Sequence, residues 1–179
     1  MLLPGVTMQK PFHLGDGAHG SHGGSLSLGR GTQVDRLHMV VDLENLCGGS
    51  ELVARGAEAA YRAISNVVRL DKAQIVVAVG VNAWRQSPQL GFMWPGARFL
   101  VGRGVDGADI RLIEDLVEEP QALRSARVVI ASGDGRFEDA ALHLRAHGVY
   151  TIAVARSGCL SRRLGDAVDE IRYLPMASA

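Results

Sequence analysis

Cysteine and aromatic residues are scarce in this sequence, and neither sign of charge is in excess. The two cysteines of the 179-residue chain, Cys47 and Cys159, form no CxxC or Cys/His pattern, which argues against a disulfide framework and a zinc site. Acidic and basic side chains number 19 each, so binding of nucleic acid through bulk positive charge is not expected. No apolar run reaches the length of a membrane span, and no secretory segment follows Met1. We therefore expect a cytoplasmic protein with no membrane partner.

The first 33 residues differ in composition from the rest of the chain. They hold eight of the 22 glycines, several serines and almost no apolar periodicity. Such a segment buries too little surface to offset the entropy of ordering it, so residues 1–33 are predicted to form a disordered, flexible tail. Its histidines, His13, His19 and His22, have a spacing that could bind a transition metal, but a leader without a site is favoured. Residues 34–179 are predicted to form a single domain.

Apolar, β-branched runs alternate with amphipathic segments from residue 36 onward. The runs predict strands at 37–41, 74–81, 97–101, 126–131 and 149–155, with a short further segment at 171–174. Helical stripes lie between them at 51–70, 110–117, 137–144 and 160–167. This alternation predicts an α/β fold, a three-layer sandwich whose central, mostly parallel sheet has about five strands.

Two of these strands end in an acidic residue. Asp42 closes the first strand, and Asp134 follows the fourth through Ser132 and Gly133. Because ligands of parallel sheets lie beyond the carboxyl ends of the strands, both carboxylates are expected at one edge. Asp109 lies at the start of a core-facing helical stripe and should point toward the same edge. Asp115 lies about 240° further around that helix and is predicted to be on the surface.

A group of carboxylates without Cys or His partners favours Mg²⁺ or Mn²⁺ over zinc. Such ions commonly activate a water and stabilise a leaving oxygen in phosphodiester cleavage. Structural alternatives stay open: Asp134 and Asp106 are suited to cap helices, and Asp42 is suited to bind loop amides. Receiver domains and haloacid-type phosphatases also collect acidic residues at this edge. A receiver needs a late lysine, however, and none follows Lys72.

Four segments, in order, resemble the NYN branch of the PIN-like ribonucleases. Residues 40–45 (VVDLEN) resemble the first strand with its D-x-x-N pattern, and residues 107–112 (GADIRL) resemble the aspartate-led helix. Residues 128–137 (VVIASGDGRF) resemble the strand and turn that the family writes as SGDGDF. Residues 161–164 (SRRL), followed by Asp169, resemble the family's ending. The similarity covers about 140 residues and implies that residues 34–179 are a PIN-like nuclease domain.

The resemblance implies hydrolysis of RNA that depends on Mg²⁺ or Mn²⁺ and forms no covalent intermediate. It also leaves room for a homodimer, since PIN-like domains often pair. The residues that it assigns are the catalytic and metal-binding Asp42, Asp109 and Asp134, with Asn45 and Ser132 orienting ligands or substrate. This chain departs from the family at Arg136, which stands where a second aspartate is common. Glu138 is then a candidate replacement metal ligand, and Arg136 a candidate contact for a substrate phosphate.

Cationic and aromatic side chains near this edge are weaker candidates for contacts with RNA. The arginines expected there are Arg103, Arg111, Arg136, Arg156, Arg162 and Arg163, although scattered arginines are usually a solvated surface. Trp84 and Trp94 flank a loop, where packing is favoured over stacking on bases. Cys47 lacks a nearby base and is expected to be a buried filler. The alternative function is a catalytically weak or inactive module that binds RNA or a protein.

Overall fold

The structure is a computed structural model that describes residues 7–9 and 36–175. The predicted tail at residues 1–33 lies outside the described residues, except for a short strand at Thr7–Gln9. None of the helices in the described part is long and apolar enough to cross a membrane.

A single sheet, parallel except at one edge, organises the described chain. Its strands are β1 (Thr7–Gln9), β2 (Leu37–Asp42), β3 (Gln74–Gly80), β4 (Arg98–Gly102), β5 (Arg127–Ala131), β6 (Tyr150–Arg156) and β7 (Glu170–Leu174). Their order is β1-β7-β6-β5-β2-β3-β4, with β2 to β7 parallel and β1 antiparallel to β7. The predicted α/β class is confirmed. The sixth parallel strand, β7, is the segment that the sequence indicated only as a short run.

Helices cover both faces of the sheet. They are α1 (Leu43–Cys47), α2 (Val53–Val67), α3 (Val81–Gln86), α4 (Leu90–Met93), α5 (Gly107–Glu118), α6 (Pro120–Arg124), α7 (Glu138–Ala146) and α8 (Arg162–Ala167), with 3-10 turns at Ser50–Leu52 and Gly135–Phe137. Alternate residues of β2 enter separate cores: Met39 and Val41 pack with α2, whereas Val40 packs with α5. This alternation, which follows from the period of a strand, produces three layers.

The segment between β3 and β4 folds as the two short helices α3 and α4 rather than as a loop. Trp94 is buried there; its Nε1 donates to the carbonyl oxygen of Ala57 at 3.1 Å, and its ring meets Tyr61 edge-on. Trp84 packs against Phe99 and keeps 38% of its surface exposed. Packing is therefore the observed role of Trp94.

The prediction that Asp115 lies on the surface is wrong. Asp115 belongs to α5, and its buried side chain faces the sheet. There it ion-pairs with Arg98 of β4 and lies 2.7 Å from Nε2 of His38 of β2. The sequence argument measured the helical angle from Asp109, which lies at the margin of the buried stripe. Measured from the buried Ala108, Asp115 comes seven residues later, nearly two full turns on, and so falls on the same face.

Burial lowers the pKa of His38 to about 4, and the charge of Arg98 contributes. Its Nδ1 atom has no partner among the described residues, so a proton there would be a buried hydrogen-bond donor without an acceptor. The pKa of a histidine in the unfolded chain is 6.5. Between these values the unfolded chain binds more protons, so the free energy of unfolding should fall as the pH falls from about 6.5 to about 4.

We expect His38 to account for a loss of about 3 kcal/mol across that window. Urea unfolding at about pH 7 and about pH 4.5 would measure it, with His38→Gln as a control that does not titrate. As the pH falls from about 7 to about 4.5, the free energy of unfolding should fall more in the wild type than in His38→Gln. An equal difference at both pH values would contradict the lowered pKa.

Candidate active site

The first acidic residue of the site is fixed at the junction of β2 and α1. Asp42 ends the strand and caps the helix, accepting a hydrogen bond from the backbone N–H of Asn45 at 3.0 Å. It shares with Val40 the face of β2 that packs under α5, and only 4% of its surface is exposed. The sequence left open that Asp42 binds backbone amides after its strand, and this contact is observed. Its second carboxylate oxygen, Oδ2, accepts a different hydrogen bond.

The turn after β5 is hydrogen-bonded to this junction. Ser132 Oγ donates to Oδ2 of Asp42 at 2.9 Å and accepts from the backbone N–H of Asp134 at 3.1 Å. Asn45 Oδ1 accepts from the N–H of Gly133 at 3.0 Å. Ser132 is fully buried, so it orients Asp42 and cannot contact a substrate, whereas Asn45 reaches the surface of the cleft. Asp134 also caps its own turn, accepting from the N–H of Arg136.

The start of α5 is brought close to the sheet edge by two glycines. A Cβ atom on Gly102 would lie 2.0 Å from the carbonyl carbon of Gly107, which no larger residue could tolerate. This backbone contact places the first turn of α5 beside the end of β4. Asp109, in that turn, keeps 14% of its side-chain surface exposed. Asp106 occupies the N-cap position with φ of 59°, but its side chain makes no capping hydrogen bond.

These segments enclose an open cleft of about 420 Å³ at the carboxyl edge of the sheet. Its polar lining residues are Asp42, Glu44, Asn45, Asp106, Asp109, Asp134 and Arg156, and glycines form much of the remainder. The structure thus brings together the three aspartates that the sequence singled out. It adds two carboxylates that the sequence did not assign to the site, Glu44 and Asp106. Glu44 lies in the first turn of α1 and accepts from the N–H of Gly80 at 2.6 Å, which ties α1 to the end of β3.

Arg136 lies against the acidic residues rather than facing solvent alone. Its guanidinium ion-pairs with Asp106 and lies 3.3 Å from Oδ2 of Asp109. Glu138, by contrast, does not line the cleft, and its carboxylate ion-pairs with Nε of Arg163 at 2.6 Å. The structure therefore does not bring Glu138, the candidate replacement metal ligand, into the cleft. Arg136 instead places positive charge beside two of the acidic residues that line the cleft.

Burial and repulsion from neighbouring carboxylates make Asp42 and Asp109 hard to ionise. Burial, followed by the charges of Asp42 and Asp134, raises the pKa of Asp109 to about 7, although Arg136 opposes the shift. Burial also raises the pKa of Asp42, against the hydrogen bonds from Asn45 and Ser132. A cation in the cleft would relieve this repulsion.

The side chains that line the cleft match the ligands of a divalent ion in chemical type but not in spacing. All the side-chain donors of the cleft are oxygens except Arg156 and the amide nitrogen of Asn45, which suits Mg²⁺ or Mn²⁺. Within residues 36–175, however, no group of three or more His, Cys, Asp and Glu side chains is arranged to hold a metal ion as it stands. The carboxylates therefore fit the ion in type, while Arg136 supplies positive charge beside Asp109.

Most of the other arginines expected at this edge have acidic partners on the surface. Arg111 pairs with Glu114, Arg162 with Asp166 and Arg163 with Glu138. Burial raises the pKa of Cys47 to about 11, so its thiol stays protonated, consistent with a filler.

Comparisons with known proteins support the fold alone. No protein-family model and no curated protein matches the chain. Among solved structures, the chain is similar to a protein of unknown function from Vibrio parahaemolyticus, with a TM-score of 0.55 and 15% sequence identity. The match covers 80% of this chain and 94% of that one. The likeness thus extends over most of the parallel sheet and its helices.

Proposed function

We propose that this protein is a divalent-metal-dependent ribonuclease of the PIN-like kind. The observation that carries the proposal is that Asp42, Asp109 and Asp134, from three separate segments, line one cleft at the carboxyl edge of the sheet. RNA is preferred over DNA in this proposal because of the resemblance to NYN domains. The resemblance and the cleft point to the same three residues.

The described residues that line the cleft suit direct attack by water. They include no Ser, Cys, Lys or His side chain that could serve as a nucleophile. Asp42, Asp109 and Asp134 would hold Mg²⁺ or Mn²⁺, which when bound lowers the pKa of a water and stabilises the leaving oxygen. Hydrogen bonds from Ser132 and from backbone N–H groups already orient Asp42 and Asp134, and the three aspartates would have to rearrange further to hold an ion.

Arg136 favours a second candidate function, an RNA-binding module that does not cut. Its ion pairs with Asp106 and Asp109 neutralise part of the charge that a metal would otherwise neutralise. If this contact persists in solution, a divalent ion binds weakly and the cleft serves only to hold RNA. The two functions differ in whether the purified protein binds Mn²⁺.

Cleavage of a labelled single-stranded RNA should require a divalent ion and Asp134. We expect cutting by the wild type with Mn²⁺ or Mg²⁺, no cutting with EDTA, and a rate lowered by about 100-fold or more in Asp134→Asn. Calorimetric titration with Mn²⁺ should show a matching loss of affinity. Gel analysis of the products and titration of each protein are the measurements.

Asp71→Asn is the matched control, because Asp71 is exposed, has Arg69 as its ion-pair partner and lies at the opposite edge of the sheet. It should cut as the wild type does. A wild type that binds RNA but neither binds Mn²⁺ nor cuts would reject the nuclease and favour the binding module. Cutting that persists in EDTA would reject the role of the metal.

A further inference from the structure

Arg156 lines the cleft and, among the described residues, takes part in none of its ion pairs. It ends β6 on the same face as Val154, toward α1 and α2, whereas Arg136 approaches from the side of α5. Both thus belong to the cleft region, on opposite faces of the sheet. Arg136 is held by Asp106 and Asp109. Among the described residues, the guanidinium of Arg156 makes no ion pair and no hydrogen bond.

The absence of a side chain at Gly48 leaves room for the guanidinium of Arg156. Gly48 follows α1 with φ of +90°, and a Cβ atom there would lie 3.2 Å from Nη1 and 3.7 Å from Nη2 of Arg156. The guanidinium therefore lies over the bare backbone of Gly48, which also lines the cleft. A larger residue at this position would be strained at this φ and would push the guanidinium aside by a few tenths of an ångström. Its donors remain available to a ligand.

We propose that Arg156 binds a phosphate of the RNA backbone next to the phosphate that is cut, an inference that rests on the proposed ribonuclease function. A strand that enters this cleft meets five acidic side chains, and a cation on the wall offsets the repulsion from those that are ionised. Arginine suits this role because its planar fork donates two hydrogen bonds to phosphate oxygens. Arg156 is a substrate-positioning residue, distinct from the aspartates that would hold the metal.

The test measures RNA binding apart from cleavage. Fluorescence anisotropy with a labelled single-stranded RNA is recorded with Ca²⁺ in place of Mn²⁺, across a series of salt concentrations. Arg156→Gln should weaken binding by about tenfold and reduce the slope of log affinity against log salt by about one. Arg156→Lys should recover the salt slope but only part of the affinity, since lysine keeps the charge and loses the fork. Arg62→Gln, an exposed site on α2 paired with Glu58, should change neither quantity.

The outcomes separate this inference from the function on which it rests. Unchanged affinity and salt slope in Arg156→Gln would overturn the phosphate contact, even if the wild type cuts RNA. So would a wild type that binds none of the RNA. Loss of affinity and slope in Arg156→Gln, with no cutting by the wild type in Mn²⁺, would support the contact and reject the nuclease.

Discussion

Asp42→Asn is expected to lower the rate of RNA cleavage by about 10³-fold, equivalent to about 4 kcal/mol, without lowering the stability of the fold. The variant removes the carboxylate most buried in the cleft. Asparagine keeps the shape, and its carbonyl oxygen can still accept from the N–H of Asn45. Its amide can donate to Ser132 Oγ, which reverses the hydrogen bond that Ser132 donates to Asp42, because a hydroxyl oxygen has a second lone pair beyond the one used by the N–H of Asp134.

The free energy of unfolding of Asp42→Asn should equal that of the wild type or exceed it by up to about 1 kcal/mol. Burial raises the pKa of Asp42, so its charge costs stability in the folded chain, and the variant removes that cost. Urea unfolding and the RNA assay, run on the same preparations, measure both effects. Asp42→Ala serves as the contrast, since it also removes the helix cap and should cost about 1 kcal/mol. Normal cutting by Asp42→Asn would remove Asp42 from the proposed site.

Strand positions were predictable from the sequence, whereas strand order was not. Runs such as that of β3 are β-branched and long enough to identify, and their alternation with helices implies a parallel sheet. The central place of β2, between β5 and β3, depends on pairings between segments far apart in the chain. The helices α1, α3 and α4 have four to six residues each, too few to display a helical period.

The same contrast applies to the site. Asp42 and Asp134 were predictable because a residue at the end of a parallel strand must lie at the carboxyl edge. The contact of Arg136 with Asp106 was not, because it depends on how two segments that are 30 positions apart in the chain approach one another. Glu138 lies outside the cleft for a related reason: it comes two residues after Arg136, about 200° further around at ~100° per residue, and its carboxylate pairs with Arg163. The local sequence pattern predicts where a carboxylate lies in the fold, whereas its partner depends on the tertiary structure.

Asp115→Ala is expected to lower the free energy of unfolding by about 3–5 kcal/mol, the largest effect on stability that we predict. Asp115 lies between His38 and Arg98, both of which it contacts, and it is 3% exposed. Removing it leaves His38 Nε2 without its acceptor in the core and creates a cavity beneath α5. Urea unfolding monitored by circular dichroism measures the loss.

The double variant His38→Leu with Asp115→Leu distinguishes a lost partner from a lost volume. Replacing both members of a buried polar pair by apolar residues is often nearly neutral, so most of the stability should return. Arg98 can remain, because its side chain is 46% exposed and can turn to water. An equally unstable double variant would mean that packing, rather than the polar pair, accounts for the effect.

Because α5 carries Asp109 at one end and Asp115 at the other, a loosened α5 in Asp115→Ala should also weaken Mn²⁺ binding, and the double variant should restore it.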